Sequence, residues 1–164
     1  MNSTPEPAAQ VLVLTRLLNA PRELVFQVWT EPRHLIRWWG PTDFTLPFCE
    51  MDFRPGGAYR FCMRAPDGSD HWVWGVYQEI VAPERLSFTW NRTQTPAMQD
   101  PWARTIVSVT FTEERGLTKL TLHQATFQKP EECTDHRGGW TECLDRLAAL
   151  VAQQSSTHNQ PRPS

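Results

Sequence analysis

Residues 129 to 153 read as one long amphipathic helix, and a helix of that length following a run of strands limits the architecture more than any other stretch. Pro130 suits a first helical turn, where a missing N–H costs nothing. Glu131, Glu132 and Asp135 place negative charge at the positive end of the helix dipole. Cys133, Trp140, Leu144, Leu147, Ala148 and Val151 recur at three- and four-residue steps and so share one face. Arg137, Glu142, Asp145 and Arg146 fall mostly on the other. At 1.5 Å per residue, roughly twenty residues make a rod of about 30 Å, the width of a small domain. Gly138 and Gly139 interrupt the pattern, since each costs up to about 1 kcal/mol relative to Ala inside a helix. Their presence predicts that something passes close to the helix there: a ligand, a strand, or simply a kink.

The chain ahead of this helix alternates with a period of two. Val11 to Leu18 reads as a first strand. Asn19 is the expected N-cap of a short helix carrying Leu24, Val25, Val28 and Trp29, with Pro21 in its first turn. A second short helix opens at Thr30-Glu31-Pro32 and runs through Trp38 until Gly40-Pro41 stops it. Six strands follow: 44–53, 58–65, 71–81, 85–91, 104–112 and 117–127. Their turns are Arg54-Pro55-Gly56-Gly57, Pro66-Asp67-Gly68, Ala82-Pro83-Glu84, the 93–102 loop, and 113–116. Strand 58–65 alternates cleanly, with Tyr59, Phe61 and Met63 opposite Arg60, Cys62 and Arg64. Strand 71–81 does not, because both faces are partly apolar. If Trp72 and Trp74 point outward they form an exposed patch suited to a homodimer contact; if inward, they join the core. Antiparallel strands with one apolar face need a cover, and the long helix is the element able to supply it. The expectation is an α+β fold, one domain over 11–153 with polar, disordered tails at 1–10 and 154–164. A curved sheet would grip the helix and leave a cavity near Trp140 and the two glycines.

Composition excludes several classes. A net charge of −2 and the absence of a basic run argue against a nucleic-acid partner. No apolar stretch approaches the ~20 residues of a membrane helix, and the N-terminal residues lack a leader pattern, so a cytoplasmic protein is expected. Cys49, Cys62, Cys133 and Cys143 lack CxxC spacing, and the five histidines lack HxH or HExxH spacing, so no metal site is predicted. No phosphate loop, nucleophile elbow or dinucleotide fingerprint is present, and no cofactor is predicted.

The candidate site residues follow from the cavity. Eight tryptophans in 164 residues suit a wide aromatic lining. Trp38, Trp39, Tyr59, Phe61, Phe88, Trp90, Phe111, Trp140 and the helix residue Leu144 would give a ligand apolar area, while His136, Tyr59 or Gln124 would orient a polar group. Cys133 and His136 are i, i+3 neighbours, but nothing supplies an orienting group or oxyanion hole, so no catalytic residue is assigned. Asp52, Arg54, Arg60, Arg64 and Glu79 are expected in exposed ion pairs on the outer sheet face.

Several stretches resemble one family. APRELVFQVWTEPRHLIRWWGP (20–41), Asp52 with Arg54-Pro55-Gly56-Gly57, Gly75-Val76-Tyr77-Gln78-Glu79-Ile80, Arg85-Leu86-Ser87-Phe88-Thr89-Trp90, and Gly139-Trp140 with Leu144-Asp145-Arg146-Leu147 look like the bacterial proteins similar to the C-terminal domain of the activator of Hsp90 ATPase. The resemblance spans about 11–151 and implies the helix-grip fold shared with START domains, polyketide cyclases and plant pathogenesis-related ligand binders. The co-chaperone uses a second, N-terminal domain for much of its chaperone contact, so Hsp90 binding is not expected here. Fold does not settle function. The leading expectation is a binder of a small hydrophobic or amphipathic molecule. A cyclase- or hydrolase-type enzyme in the same cavity, and a co-chaperone-like or homodimeric interaction module, are the alternatives.

Overall fold

The computed structural model describes residues 11–93 and 105–159, with side chains to Gln154. The expected N-terminal tail, most of the 93–102 loop and residues 160–164 lie outside the described residues. The elements run β1 (Leu12–Leu18), α1 (Arg22–Thr30), α2 (Pro32–Leu35), β2 (Thr45–Met51), β3 (Ala58–Arg64), β4 (Asp70–Val81), β5 (Arg85–Thr93), β6 (Thr105–Glu114), β7 (Leu117–Ala125) and α3 (Pro130–Asn159). This is the expected order of strand, two short helices, six strands and one long helix.

Several boundaries differ from expectation, and three of them concern the helices. The cap position of α1 is Pro21, with no side-chain cap bond, rather than Asn19. The proline ring already fixes φ near its helical value, and the Pro21 carbonyl accepts from Leu24 and Val25 N–H at 3.1 Å each. α2 ends at Leu35, and Trp38 and Trp39 follow in a turn whose N–H groups both reach the Leu35 carbonyl. α3 continues past 153 to Asn159, so residues 154–159 are helical rather than tail. Neither glycine nor proline interrupts the sequence there until Pro161.

All seven strands form one antiparallel sheet in the order β1-β7-β6-β5-β4-β3-β2. α3 lies across its inner face. It is tied to β1 by the Arg16–Asp145 ion pair and by an Arg16 bond to the Thr141 carbonyl at 3.3 Å. Trp140 Nε1 donates to Gln124 Oε1 on β7 at 2.8 Å, and Trp90 on β5 donates to His136 at 3.1 Å. β4 and β5 close tightly at Gly75, where a Cβ would lie 2.1 Å from the Thr89 carbonyl oxygen, so the pairing there tolerates only glycine.

The two faces of β4 are now distinct. Val73 and Tyr77 are buried, whereas Trp72 and Trp74 point outward and are half-buried. The Arg60 guanidinium covers the outer aromatics, 5.0 Å from the Phe48 ring centre and 5.4 Å from that of Trp72.

The core is aromatic and centred on Trp29. Its ring lies 4.8 Å from Trp38, 5.9 Å from Trp39, 6.2 Å from Phe111 and 6.1 Å from Trp140. Tyr59, Phe61, Tyr77 and Phe88 form a second knot under β3–β5. Each such pair adds about 0.5–1.5 kcal/mol beyond area burial.

Candidate functional site

The interior beneath the sheet is nearly solid. The void among Trp29, Trp39, Tyr59, Phe61, Tyr77, Leu86 and Phe88 is only ≈ 10 Å3, room for at most about one water molecule. Open space lies instead at one end of the sheet, against α3. A slot of ≈ 60 Å3 is walled by Trp39, Trp90, Trp140, Met63, Cys143 and Gly139, with Gly40, Pro41, Arg92, Asp135 and His136 around it. Beside it lies a groove of ≈ 480 Å3, lined by Pro41, Phe44, Met63, His71, Arg92, Thr134, Asp135, Gly138, Gly139 and Glu142.

The helix glycines open this space. A Cβ on Gly138 would meet nothing within 4 Å, and one on Gly139 would meet only Pro41 Cγ at 3.8 Å. No strand of the protein packs closely against the helix here: the pair leaves room beside α3. The opposite wall, residues 39–44, is held by one turn of α3. Glu142 Oε1 accepts from Thr42 N–H at 2.8 Å, and Cys143 Sγ accepts from Gly40 N–H at 3.3 Å. Arg146 Nη1 lies 3.0 Å from the Gly40 and Pro41 carbonyls and 3.2 Å from that of Phe44. Burial pushes the Cys143 thiol up to about 12, so it stays protonated and serves the wall as a neutral contact.

The polar groups around the slot are already partnered. His136 Nδ1 lies 2.8 Å from the Glu132 carbonyl and must donate to it, which leaves Nε2 to accept from Trp90 Nε1–H. This fixes a neutral tautomer, and burial lowers the pKa of the ring further. A His136 so engaged has no nitrogen free to activate Cys133. Gln124 is fully buried, accepting from Trp140 and donating to Thr105 Oγ1 at 2.8 Å. At the mouth Arg92 Nη1 meets Asp135 Oδ2 at 3.0 Å, bridging β5 to α3. Both of its partners are exposed, so the pair contributes at most about 1 kcal/mol.

The family profile of the activator of Hsp90 ATPase homolog 1-like proteins matches residues 19–152. The chain belongs to this family. A solved protein of Chromobacterium violaceum is 30% identical, over 86% of this chain and 96% of that one, with a TM-score of 0.70. A family protein of Silicibacter pomeroyi is 26% identical over 88% and 99%, with a TM-score of 0.78. A Nitrosomonas europaea protein at 24% identity, covering 91% and 98% with a TM-score of 0.76, shares the fold. No protein of curated function matches the sequence significantly. The fold is thus the α+β helix-grip fold, and its family is compatible with ligand binding and with co-chaperone-like roles.

Within this family member the expected site residues divide. Trp39, Trp90, His136 and Trp140 come together at the slot. Tyr59, Phe61 and Phe88 surround the interior void, and Tyr59 gives its hydroxyl to the Thr89 carbonyl at 2.6 Å. Trp38, Phe111 and Leu144 are packed in the core, with Trp38 Nε1 bonded to the Val28 carbonyl at 3.0 Å. Gln124 is occupied as described and lines neither cavity. Sequence reasoning missed Met63, Arg92, Asp135 and Cys143 as lining. The sequence signal that coincides with this open space was the glycine pair. Asp52 pairs with Arg54, Arg64 with Asp70 and Glu79 with Arg85, and none of the six lines these cavities. Among the described residues no helix is long and apolar enough to cross a membrane, and no cluster of potential metal ligands occurs.

Proposed function

We propose that this family member binds a small amphipathic molecule. Its apolar end enters the slot between Trp39, Trp90 and Trp140, and its polar end lies in the groove beside Arg92, Asp135 and Glu142. The observation that carries the reading is that α3 places two glycines against open space, Gly139 at the slot where three indoles converge and Gly138 at the adjoining groove. Each glycine forgoes up to about 1 kcal/mol of helix stability without any packing need.

The magnitudes favour a ligand that uses both parts. Small-molecule sites usually measure about 300–1,000 Å3. The slot alone falls short of this, while the groove lies within it. Burying some 100 Å2 of apolar surface in the slot yields about 2.5 kcal/mol before ordering costs. A millimolar affinity already needs about 4 kcal/mol, so the groove must contribute. Binding is preferred over cyclase- or hydrolase-type catalysis because the half-buried His136 and the buried Cys143 are committed to structural bonds.

The test is native mass spectrometry of the protein as purified, together with Gly139→Phe, which fills the slot. An extra mass on the wild type, released on unfolding and missing from the variant, supports the reading. An extra mass retained by the variant places the ligand elsewhere and overturns it.

The outward half-buried Trp72 and Trp74 support one further reading, a homodimer through the outer face of β3–β4. Sedimentation of the wild type and of Trp72→Ser tests it, with a dimer expected only in the former.

A further inference from the structure

We infer that the molecule held in this cleft is a cation, an ammonium or amidinium group on a short apolar body. The inference rests on the binding reading above and adds the charge to it. The first observation concerns the indoles. Trp90 gives its N–H to His136 Nε2 at 3.1 Å, and Trp140 gives its N–H to Gln124 Oε1 at 2.8 Å. Both rings therefore offer the slot aromatic carbon and no hydrogen-bond donor. An anion requires donors, whereas a cation is attracted to the electron-rich ring face.

The second observation concerns the rim. Among the described residues that line slot and groove, the fully charged side chains are Asp135, Glu142 and Arg92, so carboxylates outnumber guanidinium. The Arg92–Asp135 pair is exposed on both sides, and an entering cation can take the place of Arg92 on Asp135. Glu142 gives one oxygen to Thr42 N–H, and a carboxylate has further acceptor sites to spare. Gly138, with nothing within 4 Å of a Cβ position, lets a compact head group settle against the helix backbone beside these carboxylates. His136 adds no positive charge, because its Nε2 is already an acceptor.

The experiment compares hexylammonium, 1-hexanol and hexanoate by tryptophan emission at pH 8 and low salt. Hexylammonium is expected to bind about three- to tenfold more tightly than hexanol, with hexanoate weakest. Added salt should shrink that order. Asp135→Asn and, separately, Glu142→Gln should weaken hexylammonium binding more than hexanol binding, so that the preference for the cation shrinks. Tightest binding by hexanoate overturns the inference and makes Arg92 the head-group contact. Equal affinities for all three overturn the charge assignment and leave the binding reading standing. No saturable binding by any of them overturns both.

Discussion

The molecule has two aromatic regions built from the same residue types, and they behave oppositely. Under β3–β5, Trp29, Tyr59, Phe61, Tyr77 and Phe88 interlock around a void of ≈ 10 Å3, with Phe111 packed beside them against Trp29. At the mouth, Trp39, Trp90 and Trp140 stand beside a slot of ≈ 60 Å3 that opens toward a groove of ≈ 480 Å3. Aromatic content does not decide which region packs. What decides is the opposing surface. In the interior, rings meet rings from α1 and the sheet. At the mouth, they meet a helix that carries two glycines in place of side chains, while residues 39–44 are pinned back by Glu142, Cys143 and Arg146 and cannot collapse inward.

The contrast is broken most strongly from the packed side. Phe111→Ala removes a ring that is 1% exposed and should cost about 3–5 kcal/mol, read as a shift in denaturant midpoint.

Arg146→Met is the next largest effect. It leaves the carbonyls of Gly40, Pro41 and Phe44 without their shared donor, at about 1–3 kcal/mol. It should also weaken small-molecule binding, since the wall of the slot loosens. Unchanged probe affinity with reduced stability would show that the wall does not shape the site.

Acid should act on the mouth by a smaller amount. Burial depresses the His136 pKa below its ordinary 6.5, so the unfolded chain takes up a proton more readily than the folded one. The stability tied to neutral His136 is present above about pH 6.5 and is lost as pH falls through the depressed folded value. His34 is also depressed by burial and contributes in the same direction. Urea melts between pH 7.5 and 5 should show the loss, and His136→Gln should flatten only part of it. An unaltered slope in that variant would assign the effect to His34.

Gly138→Ala has the smallest effect and the opposite sign. With nothing within 4 Å of the new methyl group, the helix should gain up to about 1 kcal/mol. A loss of stability would mean that the helix is distorted at this point and that the glycines serve the backbone.

The fold was legible because its signals are periodic. Alternation over Tyr59–Met63 and the three–four stripe of α3 are properties of single elements, and their order leaves few architectures. The site was only half legible. Trp90 and Trp140 look the same in sequence as Phe88 and Phe111, since all alternate or repeat toward one interior. Which of them meets open space depends on a helix and a loop remote in sequence. Gln124 looked free to orient a ligand, but its amide is consumed between Thr105 and Trp140, a pairing that only the register of β6 with β7 reveals. β4 remained ambiguous because Trp72 and Trp74 are as apolar as Val73 and Tyr77. Arg60, laid over Phe48 and Trp72, makes the outward placement tolerable. Gly138 and Gly139 coincide with open space beside α3 rather than with a close contact to another part of the chain.

A crystal of the protein held under xenon would test the contrast most directly, since xenon enters dry apolar space and is excluded from packed interiors. The prediction is a xenon atom among Trp39, Trp90 and Trp140 beside Gly139, and none between Tyr59 and Phe88. Xenon in the interior, with none at the helix glycines, would contradict the placement of the site.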